Sequence, residues 1–108
     1  QSKFDSAVYY FQKSVVVGSH DPRNHLNLAL ANYNARDAET AVRVMQNGLQ
    51  YAGNMPEYHE KYAALCLATG NIDLGLEVSN NGLELFPNNQ KLLDYRMQLN
   101  VRKSVMNR

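Results

Sequence analysis

An all-α chain of stacked helical hairpins, a right-handed α-α superhelix of about six antiparallel helices, is what this sequence predicts. Three observations carry the prediction. Residue types recur at a 34-residue step: Ala7, Ala41 and Gly75; Phe11, Met45 and Ser79; Ser14, Gly48 and Gly82; Val15, Leu49 and Leu83. Setting 22–55 on 56–89 without a gap aligns Pro22/Pro56, His25/His59, Ala29/Ala63, Val44/Val78, Asn47/Asn81, Gly48/Gly82, Leu49/Leu83 and Asn54/Asn88 as identities. Within each unit the apolar residues are spaced by three and four, the period of an amphipathic helix, and prolines punctuate the units.

In register, residues 1–21 match the turn and second helix of a hairpin, with a helix over 4–17, so the chain reads as beginning in mid-repeat. The first full repeat, 22–55, opens at Pro22 behind Asp21 as N-cap and carries Leu26, Leu28, Ala29, Leu30 and Tyr33 on its first helix. Its second helix runs from about Glu39 to Tyr51. The second full repeat, 56–89, has a helix from Pro56 through Ala68, a turn at Gly70-Asn71 and a helix from Ile72 to Phe86, stopped by Pro87-Asn88-Asn89. Residues 90–108 form a terminal or capping helix with Leu92, Leu93, Tyr95, Met97, Leu99 and Val101. The whole of 1–108 reads as one domain. Asn47-Gly48 and Asn81-Gly82 would suggest β-hairpin turns elsewhere, but the register puts both inside second helices, where a small residue lets neighbours approach.

Composition narrows the function. Eleven basic and ten acidic residues give a net charge of +1 with the signs interleaved, so no broad field exists to hold a nucleic-acid backbone. No apolar run has the length of a membrane span, so direct membrane insertion is not expected. Cys66 is the only cysteine, and the compartment stays open between the cytoplasm, the default for a soluble chain, and a bacterial periplasm or envelope. No nucleophile constellation and no Gly-rich phosphate loop occurs, so the chain does not read as an enzyme. His20, His25, His59 and Cys66 offer zinc-ligand chemistry. The repeat gives a better account of His25, His59 and Cys66, as core positions recurring with the period, and no metal or cofactor is expected. In Tyr9-Tyr10-Phe11 one helix turn cannot present three consecutive aromatics on one face; Phe11 reads as core, and Tyr9 or Tyr10 as packed on a neighbouring helix.

The pattern resembles the tetratricopeptide repeat (TPR) family. The residues that carry the resemblance are Ser2-Lys3-Phe4-Asp5-Ser6-Ala7 with Phe11, Leu28-Ala29 with Asp37 and Ala41, and Gly70-Asn71, Gly75 and Leu83-Glu84-Leu85-Phe86-Pro87-Asn88-Asn89. His25, His59 and Leu93 stand where the family has a large aromatic, and Asn32 and Cys66 where it has tyrosine. Gly75 and Ser79 replace its Ala and Phe, which implies a thinner core in the second full repeat. The sel1-like type, with the same two-helix logic in longer units, is an alternative.

The resemblance implies a scaffold or adaptor that binds a peptide or partner protein in a concave groove lined by the first helices. By register the groove residues are Arg23, Asn27, Leu30 and Asn34; Glu57, Lys61, Ala64 and Ala68; and Lys91, Asp94, Tyr95, Gln98 and Arg102. Their mixed charge implies a partner of mixed charge. Chaperone-binding members of the family grip a terminal carboxylate; Asn27 and Lys61 match two of those sites, but Glu57 replaces a required lysine, so a carboxylate clamp is not expected. The alternative role is a self-associating module of a larger assembly, such as secretion, pilus or envelope machinery or a multi-protein eukaryotic complex. It would pair as a homo-oligomer through exposed ends, with Tyr9 and Tyr10 at one and Leu92, Leu99 and Val101 at the other.

Overall fold

The computed structural model describes residues 3–107. In chain order its helices are α1 (Lys3–Val17), α2 (Pro22–Asn34), α3 (Ala38–Gly48), α4 (Pro56–Thr69), α5 (Ile72–Leu85) and α6 (Gln90–Met106), with a 3₁₀ turn at Leu49–Tyr51 after α3. No strand occurs among the described residues. The chain forms two compact units, one running to Gly53 and the other from Asn54.

In the first unit α2 packs against both α1 and α3. Asp21 accepts a hydrogen bond from the Arg23 backbone N–H at 2.9 Å and Pro22 takes the first helical position, so the sequence signal for this helix start is a structural cap. That bond, and the Arg23 guanidinium beside it, hold the Asp21 carboxyl below its ordinary range. α3 is capped in the same way by Asp37, which accepts from Thr40 N–H at 3.1 Å. Leu26, Leu28, Ala29 and Ala31 of α2 meet Ala41, Val42 and Met45 of α3 in the buried set. α1 contributes no fully buried residue. Phe11 is half-buried with Tyr10 edge-on to it at 5.3 Å, and Tyr9 and Tyr10 remain 59% and 65% exposed. Neither tyrosine is covered by a neighbouring helix, contrary to the expectation for one of them: three consecutive ring positions sweep round the helix, and α2 covers only one side.

In the second unit α4, α5 and α6 pack against one another. Tyr58, Tyr62, Ala63, Cys66, Leu92 and Leu99 have essentially no exposure. The second-helix glycines explain the closeness: a Cβ on Gly75 would lie 2.7 Å from Leu99 Cδ2 and 3.0 Å from Cys66 Cβ, and one on Gly82 would lie 2.8 Å from Leu92 Cδ1 and 3.2 Å from His59 Cβ. The core here is therefore not thin. Leu92 and Leu99 fill the notches that Gly82 and Gly75 open, and they are core residues, not the exposed apolar end that the sequence suggested.

Candidate functional site

The candidate residues fall on one face of each first helix. On α2 Arg23, Asn27, Leu30 and Asn34 are all exposed, while His25, Leu26, Leu28 and Ala29 between them are buried. Spacings of four, three and four keep them on one side of the helix. On α4 Glu57, Lys61 and Ala68 are exposed and Ala64 half-buried; on α6 Lys91, Asp94, Gln98 and Arg102 are exposed and Tyr95 half-buried.

α4 and α6 touch within the second unit, so their faces form one surface. Its N-terminal end is pinned by a residue that the sequence reading passed over. Glu60, with 18% of its side chain exposed, accepts from Asn89 Nδ2 at 2.7 Å and pairs with Lys91 at 3.9 Å. Asn89 in turn caps α6, its Oδ1 accepting from Leu92 N–H at 2.9 Å. Asp94 accepts from Gln90 at 2.9 Å. Lys91 and Asp94 are thus held by neighbours within the unit, whereas Lys61, Gln98 and Arg102 project from it.

At the other end a recess of about 320 Å³ lies among Leu67 of α4 and Met97, Gln98, Val101 and Arg102 of α6. Gln98 and Arg102 were legible by register. Leu67 and Met97 were missed, and Val101 was expected only as part of an exposed apolar end; the four-residue spacing Met97, Val101, Val105 along α6 was the signal that could have found Met97. Beyond Asp94 this helix carries only cations: Arg96, Arg102 and Lys103. Lys103 pairs with Asp73, and Arg96 donates to Asn80 Oδ1 at 3.3 Å.

His20 and His25 share one packing contact, and His59 and Cys66 have others. His20 and His25 both meet the Tyr51 ring, at 4.9 and 5.6 Å, and His25 Nε2 lies 2.7 Å from the Ser19 carbonyl, which can only accept, so that nitrogen carries the proton. His59 lies edge-on to Phe86 at 5.7 Å, and Cys66 is buried beside Gly75. Among the described residues no three His, Cys, Asp or Glu side chains are grouped to hold a metal, and no helix is long and apolar enough to cross a membrane.

Helical hairpins recurring at a 34-residue step, with prolines opening α2 and α4 and glycine notches on α5, define a TPR-like fold, and comparison with solved structures shows the same. The chain is similar to the first TPR of Spaghetti (RPAP3) bound to the HSP90 peptide SRMEEVD, with a TM-score of 0.77 and 17% identity over 94% of this chain and 81% of that one. It is also similar to the Yersinia enterocolitica type III secretion chaperone SycD in complex with a peptide of the translocator YopD, with a TM-score of 0.75 and 18% identity over 94% of this chain and 82% of that one. SycD in a structure described without that peptide gives a TM-score of 0.69 and 17% identity over 97% and 72%. No family model matches the chain, and no curated protein is similar to it in sequence. At these identities the likeness is one of fold.

Proposed function

We propose that the chain is a noncatalytic protein-interaction adaptor that binds a peptide or partner protein along the exposed faces of its first helices. The observation that carries the reading is the α4–α6 surface: two first helices lie side by side, each buried on the core side, and their outward faces present Lys61, Ala64, Ala68, Tyr95, Gln98 and Arg102. Small residues on one helix beside long polar residues on the next leave room for an extended segment and supply donors to its backbone. In the first unit, Arg23, Asn27, Leu30 and Asn34 form an exposed face of their own on α2. Two of the similar structures were solved with peptides, which fits this reading. Glu57 is exposed where a clamp of the chaperone-binding kind needs a cation, so recognition rests on side chains along the peptide and not on a terminal carboxylate. The test is a peptide array probed with the protein, followed by titration of the retained peptides: Asn27→Ala with Lys61→Glu should weaken binding about tenfold or more with unchanged circular dichroism. Unchanged affinity, or a matching loss of helicity, would reject the reading.

A second reading, self-association, is favoured by α1. Tyr9, Val16 and Val17 are exposed along it, while the register positions of Tyr9 and Val16 hold Arg43 and Gln50, then Glu77 and Glu84, in the later repeats. An outward face that is polar twice and apolar once fits pairing with a second copy. Sedimentation across a concentration range decides it: a monomer at every concentration removes this reading.

A further inference from the structure

Of the chain's asparagines only Asn47 and Asn81 precede glycine, and they are register mates in the same tripeptide, Asn-Gly-Leu. The side-chain amide carbon of an asparagine is open to attack by the next backbone nitrogen, and a glycine there has no Cβ to block the approach. Both asparagine side chains are exposed and both glycines are buried, so local sequence and access of water are alike at the two sites. The helices around them differ. α5 runs on to Leu85, a full turn past Asn81, whereas α3 ends at Gly48, the residue after Asn47. The bonds at the next register position show the same difference. Phe86 N–H donates to the Gly82 carbonyl at 2.8 Å across a full α-turn, while Ala52 N–H donates to the Leu49 carbonyl at 3.0 Å in a 3₁₀ turn. The α-helical ladder therefore holds the Asn81–Gly82 peptide from both sides and stops just after Gly48. Gly82 is fixed further by its close approach to Leu92 and His59.

We propose that Asn47 is a site of spontaneous covalent modification, converting to aspartate and isoaspartate through a succinimide, while α5 protects Asn81 in the same tripeptide. The Gly48 backbone nitrogen gives its proton to water and bonds to Asn47 Cγ; the bond from Cγ to the side-chain nitrogen breaks, and that nitrogen leaves as ammonia. Water then opens the ring. Attack at Cγ breaks the new bond and leaves aspartate, and attack at the main-chain carbonyl breaks the original peptide bond and leaves isoaspartate, whose backbone runs through Cγ. Both steps are substitutions at carbonyl carbon, with no oxidation or reduction. Ring closure requires the asparagine ψ to leave the helical range and the glycine N–H to leave its hydrogen bond. That opening costs little at a helix end and much more inside a packed helix. Either product puts a carboxylate in the last turn of α3, at the negative end of its dipole, and isoaspartate also lengthens the backbone there. Since α3 packs against α2, the damage falls on the hairpin of the first unit. This inference goes beyond the adaptor reading and does not depend on it.

The test is to hold the intact protein warm at mildly alkaline pH, digest samples with trypsin over time and read the peptides by tandem mass spectrometry. Cleavage after Arg43, Lys61 and Lys91 puts Asn47 and Asn81 on separate peptides, and replacement of the amide by a carboxyl is read as a mass gain at the asparagine. In the folded protein Asn47 should convert at least about fivefold faster than Asn81. In concentrated urea the two rates should converge, because the tripeptide is the same. Asn47→Gln should abolish the mass gain on its peptide, since the longer side chain must close a larger ring, and it leaves the folded environment of Asn81 unchanged as an internal reference. Equal rates in the folded protein, or faster conversion at Asn81, overturn the proposal. So does a difference that survives unchanged in urea, because flanking residues and not the end of α3 would then set it, and so does a mass gain that persists on the same peptide in Asn47→Gln.

Discussion

Arg36 and Gly70 occupy the same point of successive inter-helix turns, one 34-residue step apart, and both have a left-handed backbone, with φ of 66° and 77°. The hydrogen bonds around them match as well: Asp37 N–H donates to the Asn32 carbonyl and Asn71 N–H to the Cys66 carbonyl, each at 2.9 Å. This is the six-to-one closure of a helix C-terminus, which glycine enters without strain and arginine does not. A side chain in that region costs roughly 1–2 kcal/mol, and glycine gives back about 0.4–1 kcal/mol through its freer unfolded chain. Arg36→Gly should therefore stabilise the protein by about 0.5–1 kcal/mol, and Gly70→Ala should destabilise it by a similar amount. Urea midpoints measure both, and a loss of stability in Arg36→Gly would show that its side chain contributes more than the turn costs.

Gly75 sets two terms against each other. Alanine in the first turn of α5 gains up to about 1 kcal/mol of helix propensity. Its methyl would nevertheless lie 2.7 Å from Leu99 Cδ2, a flexible tip, and 3.0 Å from Cys66 Cβ, which is one bond from the α4 backbone and cannot swing aside. The second contact decides the sign, so Gly75→Ala should cost about 1–2 kcal/mol net. Leu99→Ala alone should cost roughly 2–5 kcal/mol, and the double variant should cost less than the sum, because the added methyl enters the vacated space. Strict additivity in a double-mutant cycle would contradict this packing.

How much of this was legible in the sequence follows from what repeats. Pro22 and Pro56 open α2 and α4 because the proline recurs with the period, and Asp21 caps α2 because capping is local; at α4 the N-cap residue is Met55, which makes no side-chain cap. Which face of α6 is core was not legible. Its apolar residues, Leu92, Leu93, Tyr95, Met97, Leu99 and Val101, spread round much of the helix, so periodicity assigned Leu92 and Leu99 to the surface when glycine notches on α5 bury them. The same distance in sequence hid the site residue Leu67, which lines the recess only because α6 lies beside α4. The Glu60–Asn89 contact joins residues on different helices, and no local pattern announces it.

Cys66 should be inert in the native state. Burial pushes its thiol up from 9.0 to about 12, so at pH 8 almost no thiolate forms and an aromatic disulfide reagent should react only as the chain unfolds. Burial raises the Tyr58 phenol in the same direction. The fold holds the neutral forms of both groups. Its stability is therefore complete below pH 9, where the unfolded thiol begins to ionise, and falls as pH rises from about 9 toward 12. The slope is up to about 1.4 kcal/mol per pH unit for each such group. Flat urea midpoints between pH 8 and 11, or rapid labelling at pH 8 without denaturant, would contradict this.

Asn89 separates a helix cap from an inter-helix contact. Its Oδ1 accepts from Leu92 N–H at 2.9 Å and its Nδ2 donates to Glu60 Oε2 at 2.7 Å, so one side chain starts α6 and ties it to α4. Asn89→Ala removes both. A lost cap costs about 1 kcal/mol, and a hydrogen bond to a half-buried carboxylate adds about 1 kcal/mol or more, since its loss leaves Glu60 with the longer Lys91 pair at 3.9 Å. A loss of about 2–3 kcal/mol is expected. Asn89→Asp keeps the cap oxygen but sets a second carboxylate against Glu60, so it should be nearly as damaging, and Glu60→Gln should restore much of its stability. Asn89→Asp with wild-type stability would mean that the Glu60 contact contributes nothing and that α6 is held by Leu92 and Leu99 alone.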